Sequence, residues 1–243
     1  MPVIYQPRGK AREYSELACN LFTGCTHACK YCYCPSIMRK SLEEWSGNPH
    51  PRSRIIQQLE NEAKKMTGCE KELLFSFMSD PYQNEESAYI TRCALEIMQN
   101  YNFKKVNVLT KAGFRALKDF DLLKKNGWKF GSTIIFRNES LRAEWEPGAP
   151  SIQSRYEAIK EASAQGIYTW VSVEPVVNTD EALKVMADLK QYVDFWKIGK
   201  LNHHKEIESK INWGRFLSDT KKELMGMEYY IKKDLALYDT GNE

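Results

Sequence analysis

Strands and helices are predicted to alternate along almost the whole chain, and this pattern limits the fold more than any other feature. Short apolar runs are separated by longer segments in which apolar residues recur at helical spacing. Strands separated by such helices pair in parallel through right-handed crossovers. The predicted strands cover residues 16–22, 72–77, 105–110, 130–136, 167–173 and 194–198, and the predicted helices cover residues 52–66, 85–100, 114–125, 152–165, 180–190 and 213–225.

Six such units predict an α/β fold, a partial (β/α)6 TIM-type barrel with parallel strands. The 243 residues form a single predicted domain, because a chain of this length and composition can bury one full core. A full eight-stranded barrel would need more chain, since it typically uses about 250 residues and this chain has long loops as well. Residues 1–15 are predicted to be an irregular N-terminal arm, broken by prolines and a glycine. Residues 226–243 are predicted to be a C-terminal extension, with a short strand at 228–232 that widens the sheet.

Composition places few limits on the partners of the chain. No segment approaches the roughly eighteen uninterrupted apolar residues that span a membrane, and the N-terminus has no apolar leader. We therefore expect a cytoplasmic protein without a membrane partner, with reduced thiols. The net charge of +3 neither indicates nor excludes nucleic acid.

Three cysteines lie close together between the first predicted strand and the first helix. Cys25, Cys29 and Cys32 can each bind a different iron of a 4Fe-4S cluster, which leaves one iron without a protein ligand. A zinc site that adds Cys34 is the alternative, but one residue between Cys32 and Cys34 is tighter than usual zinc spacing. A disulfide framework fits an odd total of seven cysteines poorly.

The motif Cys25-x-x-x-Cys29-x-Tyr31-Cys32 resembles the signature of the radical S-adenosylmethionine (radical SAM) superfamily. The resemblance implies a 4Fe-4S cluster whose open iron chelates S-adenosylmethionine. It also implies that an electron cleaves the bound cofactor to methionine and a 5'-deoxyadenosyl radical, which abstracts a substrate hydrogen. The partial barrel is the fold that the resemblance implies.

The stretch from Ser76 to Glu86 follows the second predicted strand, where the superfamily usually binds the amino group of S-adenosylmethionine. The usual Gly-Gly-Glu run is absent, and Ser79-Asp80-Pro81-Tyr82-Gln83 resembles the spore photoproduct lyase-like branch instead. Ser79 and Asp80 are therefore candidate cofactor ligands. A simple turn is the alternative, because Ser and Asp before Pro favour turns.

Three further candidates follow from the same rim of strand ends. Lys111 would pair with the carboxylate of S-adenosylmethionine. Ser132 and Thr133 alternate faces, and the branch resemblance favours Ser132 as the inward residue. Glu174 would hold ribose hydroxyls or substrate, or would neutralise Lys111 or another neighbour.

Tyr33 directly follows the last cluster cysteine and is a candidate for hydrogen-atom relay, with shielding of the cluster as the alternative. Phe77 stands where photoproduct lyases carry a hydrogen-donating cysteine, which argues against spore photoproduct repair. Cys34 is expected to be a peripheral structural thiol, and Asn202 and His203 are candidate substrate contacts.

The predicted function is thus a radical SAM enzyme with an unidentified substrate, for which a nucleic-acid base or nucleotide is a candidate. It requires an external flavodoxin- or ferredoxin-like electron donor. The alternative is a non-catalytic iron-sulfur or zinc protein that serves as electron carrier or redox-responsive module. An activating enzyme for a glycyl radical protein is disfavoured because the Gly-Gly-Glu run is missing.

Overall fold

The computed structural model describes residues 2–239, and its strands form one large sheet and one small ribbon. The strands are β1 (Ile4–Tyr5), β2 (Leu17–Cys19), β3 (Phe22–Thr23), β4 (His50–Pro51), β5 (Leu73–Phe75), β6 (Val106–Thr110), β7 (Lys129–Thr133), β8 (Tyr168–Val176), β9 (Phe195–Lys200) and β10 (Glu228–Ile231). The large sheet has the order β1-β2-β5-β6-β7-β8-β9-β10, and β3 pairs with β4. All pairs from β2 to β10 are parallel, whereas β1 lies antiparallel to β2.

Helices connect these strands. They are α1 (Cys34–Met38), α2 (Leu42–Gly47), α3 (Ile55–Lys65), α4 (Glu85–Asn100), α5 (Phe120–Asn126), α6 (Glu139–Trp145), α7 (Ile152–Ala164), α8 (Thr179–Leu189), α9 (Lys205–Glu208), α10 (Trp213–Glu223) and α11 (Lys233–Ala236). Short 3-10 helices cover Gly9–Glu13, Gly113–Asp119 and Lys190–Tyr192. Local signals explain several ends: Asn84 and Ser87 form a capping box that starts α4, and Gly127, with a φ of 64°, ends α5.

The predicted fold class is confirmed: the sheet is the partial parallel barrel of an α/β protein. Three local predictions differ. The N-terminal arm is not wholly irregular, because it contains β1 and a 3-10 helix. The first predicted strand ends at Cys19 and resumes as β3, which pairs outside the main sheet. The helix predicted at 114–125 starts as a 3-10 helix and becomes α-helical at Phe120.

The two faces of the sheet have different chemistry. The face toward the helices is apolar, with Val108, Phe130 and Val171 fully buried. Phe130 stacks edge-on against Phe120 of α5, at 4.9 Å between ring centroids. Because side chains alternate along a strand, Gly131 and Trp170 lie on the opposite, interior face.

The N-terminal residues 9–15, which we call the strap, link the two edges of the open barrel. Glu13 accepts hydrogen bonds from the hydroxyl of Tyr230 (2.8 Å) and the backbone N–H of Lys233 (2.9 Å). Lys10 pairs with Asp234 at 2.7 Å. The chain entering β2 is therefore attached to β10 and α11 on the far side of the barrel.

Two other predictions concern the ends of the chain and the membrane. The C-terminal extension predicted at 226–243 is described as far as residue 239, and it contains β10 and α11. Residues 240–243 and Met1 lie outside the described residues. Within residues 2–239, no helix combines the length and apolar composition needed to cross a bilayer.

Candidate cofactor and active site

The three predicted cluster cysteines lie on one loop that leaves β3. Gly24 begins this loop with a φ of 83°, in the left-handed region that favours glycine. A Cβ at Gly24 would lie 2.6 Å from the carbonyl oxygen of Trp45, so a larger residue does not fit. Near the end of the loop, Cys32 N–H donates to the carbonyl of Cys29 at 3.0 Å. The three cysteines thus lie on one short loop, and the last two are joined by a backbone hydrogen bond.

Two other segments hold the loop in place. Gln83, in the turn before α4, accepts a hydrogen bond from Thr26 N–H at 2.7 Å. On the other side, Lys30 N–H donates to the carbonyl of Trp145 (2.8 Å), and Gly148 N–H donates to the carbonyl of His27 (3.0 Å). These hydrogen bonds to other segments hold the backbone of the loop independently of any cofactor.

The thiols are suited to a metal cluster. Burial raises the pKa of Cys25 to about 12, although the backbone N–H groups of His27 and Asp80 favour the thiolate. Metal binding would supply the positive charge that such buried thiolates lack. Among residues 2–239, no three His, Cys, Asp or Glu side chains are grouped to hold a single ion. A cubane has a different requirement, since each thiolate binds a separate iron, and the loop fits that requirement.

Asp80 organises the turn next to the loop. Its carboxylate accepts hydrogen bonds from the Thr110 hydroxyl (2.6 Å) and from the N–H groups of Lys111 (2.6 Å) and Tyr82 (2.8 Å). His27 Nδ1 lies 3.6 Å away, and burial lowers the pKa of His27 to about 4 despite this carboxylate. The Asp80 side chain is thus engaged by the protein, and it joins the ends of β5 and β6 to the cluster loop.

Ser79 has a different environment. Its hydroxyl is buried and makes no hydrogen bond within residues 2–239, while its carbonyl accepts one from the Ser76 hydroxyl. A buried hydroxyl without a protein partner costs free energy, and a bound ligand or water is one way to satisfy it. Ser79 therefore offers a free polar group beside the cluster loop.

Lys111 follows β6 and faces the same loop. Its ammonium lies 5.7 Å from the centroid of the Tyr31 ring. Burial opposes its charge, but Cys29 and Glu146 outweigh burial and raise the pKa of Lys111. The Lys111 side chain is therefore a cation close to the predicted cluster. This charge is what a partner for the carboxylate of S-adenosylmethionine requires.

Ser132 and Thr133 occupy opposite faces, as predicted, but the inward position belongs to Thr133. Phe130 packs on α5, and a Cβ at Gly131 would overlap the Trp170 ring of the interior. Alternation then puts Ser132 on the helix side, where its hydroxyl donates to the carbonyl of Thr110 at 3.0 Å. The expectation that Ser132 is the inward-facing residue is wrong.

Glu174 lies inside the barrel and is already paired. Its carboxylate binds Lys232 Nζ at 2.7 Å and accepts a hydrogen bond from the Tyr14 hydroxyl. Gly199 gives it room, because a Cβ there would lie 2.6 Å from the Glu174 carboxyl carbon. Of the alternatives left open by the sequence, neutralisation of a neighbour is the arrangement seen, and that neighbour is Lys232 rather than Lys111.

Tyr33 and Cys34 meet at the end of β5. The Tyr33 hydroxyl donates to the carbonyl of Phe77 at 3.2 Å, and the Cys34 sulfur lies 3.9 Å from the same oxygen. Tyr33 is 45% exposed, whereas Cys34 is buried. Farther away, Asn202 binds Lys10 and Asp234, and His203 is exposed.

Glu146 and Arg155 are two site residues that the sequence did not reveal. They form an ion pair of 2.6 Å, and both side chains are almost completely buried. The Tyr31 hydroxyl donates to Glu146. A glutamate before Pro-Gly and an arginine within a helix give no distinguishing pattern, so sequence reasoning had no signal to find them.

Comparison with protein-family models shows which family the chain belongs to. The radical SAM superfamily model matches residues 19–199, which run from the last residue of β2 through the cluster loop and strands β3 to β8 into β9. The chain belongs to the radical SAM superfamily. Proteins of this superfamily use a 4Fe-4S cluster and S-adenosylmethionine and need an external reductant, so the cofactor prediction is confirmed for the family.

Other radical SAM proteins share the fold. A spore photoproduct lyase mutant superposes with a TM-score of 0.69 and 14% identity, covering 93% of this chain and 79% of that one. Streptococcus suis SuiB bound to S-adenosylmethionine gives a TM-score of 0.62 and 10% identity, covering 91% and 51%. An uncharacterized protein of Methanocaldococcus jannaschii is 26% identical over 188 residues, which cover 75% of this chain and 69% of that protein.

Proposed function

We propose that this chain is an enzyme that reductively cleaves S-adenosylmethionine and uses the resulting radical to abstract hydrogen from a substrate. The observation that carries the proposal is the free hydroxyl of Ser79 beside a loop with three cysteines. When bound, the cluster would supply the electron that cleaves S-adenosylmethionine to methionine and a 5'-deoxyadenosyl radical.

The position of each residue in the site would determine its role. Cys25, Cys29 and Cys32 would hold the cluster. The ammonium of Lys111 would pair with the cofactor carboxylate, while Ser79 would bind its amino group. Ser132 and Asp80 would act indirectly, because their side chains bind the protein at the ends of β6 and β7.

Tyr33 and Glu174 lie toward the substrate side in this proposal. Tyr33 would relay a hydrogen atom through its hydroxyl, which in the structure donates a hydrogen bond to the carbonyl of Phe77. Glu174 would face the substrate together with Lys232 and Tyr14. We expect the donor of the electron to be a flavodoxin- or ferredoxin-like protein in the cytoplasm.

The test is anaerobic reconstitution followed by iron and sulfide counts. After reduction with dithionite, the wild type should release 5'-deoxyadenosine from S-adenosylmethionine. Cys25→Ala should abolish this release, while the matched control Cys93→Ala, on α4 and outside the loop, should retain it. A Cys25→Ala variant as active as wild type would falsify the proposal and favour a non-catalytic metal protein.

We propose a nucleic-acid base or nucleotide as the substrate class. The support is the fold shared with a spore photoproduct lyase mutant solved with a dinucleoside spore photoproduct, at a TM-score of 0.68 and 15% identity.

Substrate class can be tested without knowing the substrate. Short DNA and RNA oligonucleotides should increase the yield of 5'-deoxyadenosine above the level seen with cofactor alone. A peptide mixture serves as the comparison. Stimulation by peptides and not by oligonucleotides would contradict the nucleic-acid proposal while leaving cofactor cleavage intact.

A further inference from the structure

Glu146 stands at the C-terminal end of α6, and its side chain is completely buried. Two groups bind its carboxylate: the Tyr31 hydroxyl, and the Arg155 guanidinium at 2.6 Å. Burial opposes the charge of Glu146, but Arg155 and Lys111 outweigh it and lower the pKa of Glu146. A buried carboxylate is costly unless it is paired in this way.

The turn that carries Glu146 is held by two arginines. Arg142 donates to the carbonyls of Glu146 (3.0 Å) and Ala149 (2.8 Å). Arg155 donates to the carbonyls of Pro150 (3.0 Å) and Thr133 (3.2 Å). The position of the carboxylate is thus set by α6, α7 and the end of β7 together.

This turn also lies directly on the cluster loop. Its Trp145 carbonyl and Gly148 N–H bind Lys30 and His27, as described above. A Cβ at Gly148 would overlap the Thr26 carbonyl oxygen, so the two backbones approach as closely as glycine permits. The turn therefore contacts the cluster loop on both sides of Cys29, in addition to the hydrogen bond that Glu146 accepts from Tyr31.

Tyr31 connects the turn to the cofactor side of the site. It stands between Cys29 and Cys32, whose backbones are hydrogen-bonded to each other. Its ring also contacts the Lys111 ammonium. Any movement of the phenol would therefore shift the part of the loop that lies against Lys111.

We propose that Glu146 is a positioning residue for the cofactor site: by holding the Tyr31 hydroxyl, it fixes the ring beside Lys111 so that S-adenosylmethionine meets a preformed site. This inference rests on the proposed function. It assigns Glu146 no contact with the cofactor or the reacting atoms. The hydrogen bond, rather than the charge of the buried ion pair, performs the positioning.

Two variants separate the hydrogen bond from the charge. Tyr31→Phe removes only the hydroxyl and leaves the Glu146–Arg155 pair intact. The double variant Glu146→Gln/Arg155→Gln removes both charges but leaves an acceptor for Tyr31 and, in the new amide at position 155, a donor for the Pro150 or Thr133 carbonyl. Removal of a buried pair together is tolerated better than removal of one partner. Tyr89→Phe, on an exposed side chain of α4, is the control.

The measurement is the Kd for S-adenosylmethionine by calorimetry on reconstituted protein, with iron content and the spectrum of the reduced cluster recorded in parallel. Tyr31→Phe should keep the wild-type iron content and raise Kd about 10-fold, equal to about 1.4 kcal/mol. It should also weaken the change that S-adenosylmethionine produces in the cluster spectrum. The double variant should raise Kd less than about 3-fold.

Three results would overturn the inference. Tyr31→Phe could bind S-adenosylmethionine with wild-type Kd. It could also lose iron, which would assign the hydrogen bond between Tyr31 and Glu146 to cluster loading. The double variant could weaken binding more than Tyr31→Phe, which would assign the effect to charge. A wild type that holds the cluster but binds no S-adenosylmethionine would overturn the proposed function, and this inference with it.

Discussion

Ser79 and Thr91 show how two buried hydroxyls in one region can have different roles. The Thr91 hydroxyl donates to the carbonyl of Pro81 at 2.6 Å, whereas the Ser79 hydroxyl makes no hydrogen bond within residues 2–239. A satisfied buried hydroxyl stabilises the fold, and an unsatisfied one costs free energy. Their removal should therefore have opposite consequences.

Ser79→Ala should leave the thermal stability of the metal-free protein unchanged or slightly higher, because it removes an unpaired polar group. The same change should raise the Kd for S-adenosylmethionine about 10-fold, the loss of one charge-assisted hydrogen bond. Calorimetry on the reconstituted protein and thermal unfolding of the metal-free protein measure the two effects.

Thr91→Val is the control with the reverse pattern. It should lower stability by about 1–2 kcal/mol and change cofactor affinity less than Ser79→Ala does, since its hydroxyl binds the carbonyl of Pro81 rather than a ligand. If Ser79→Ala lost stability as Thr91→Val does, Ser79 would have a structural role and the ligand assignment would be wrong.

At the scale of the strand, Gly131 of β7 allows the Trp170 ring of β8 to lie across it. The Trp170 indole N–H then donates to Asn107 of β6 at 2.6 Å, so one side chain spans three neighbouring strands. The packing of Trp170 inside the barrel therefore requires a glycine at position 131.

Gly131→Ala should displace Trp170 and break its hydrogen bond with Asn107. We expect a loss of about 2 kcal/mol in the free energy of unfolding, the usual cost of overpacking. Urea unfolding and tryptophan fluorescence measure it. Gly214→Ala on α10 is the matched control, because the nearest atom is 3.5 Å from the added Cβ and alanine favours a helix. Equal stability of the two variants would contradict the prediction.

At the scale of the whole molecule, the strap joins the first and last parts of the sheet. Lys197 on β9 lies in this junction, where its ammonium donates to the Glu13 carbonyl at 2.8 Å and lies 4.3 Å from the Tyr14 ring centroid. Lys232 lies on the other side of the junction, 4.9 Å from the same ring. Two cations and the strap thus close the edge of the barrel around one tyrosine.

Glu13→Ala should loosen this closure because it removes the acceptor for Tyr230 and for Lys233 N–H. Hydrogen exchange in β10 should become faster, and stability should fall by about 1–3 kcal/mol. Glu43→Ala, on an exposed side chain of α2, is the control. Unchanged exchange in β10 would show that the strap does not stabilise this edge.

Lys197 should make stability depend on pH in the alkaline range. Burial lowers its pKa to about 8 from 10.5, with Lys232 acting in the same direction and Glu72, Glu174 and Glu13 opposing. Between about pH 8 and pH 10.5 the unfolded chain therefore binds a proton that the folded chain does not, and stability rises with pH.

The measurement is the difference in unfolding free energy between wild type and Lys197→Met. This difference should shift in favour of wild type by up to about 3 kcal/mol from pH 8 to pH 10.5. Lys40→Met, on an exposed side chain, is the control for loss of charge. A shift against wild type would contradict the sign of the prediction.

The sequence by itself determined the parallel α/β barrel and the superfamily, and it predicted the three cysteines of the cluster loop. These follow from local features: helical and strand periodicity, and three cysteines whose spacing places them in one turn. It also directed attention to Ser79 and Lys111, because residues at strand ends of a parallel barrel share one rim.

Tertiary structure alone decided which of those residues are free and which are engaged. Asp80 and Glu174 are bound by partners from other elements, and Ser132 faces the helices because a bulky Trp170 requires Gly131 on the inside. Glu146 reaches Tyr31 from 115 residues away. Such contacts depend on packing between distant segments, which leaves no periodic or spacing signal in the chain.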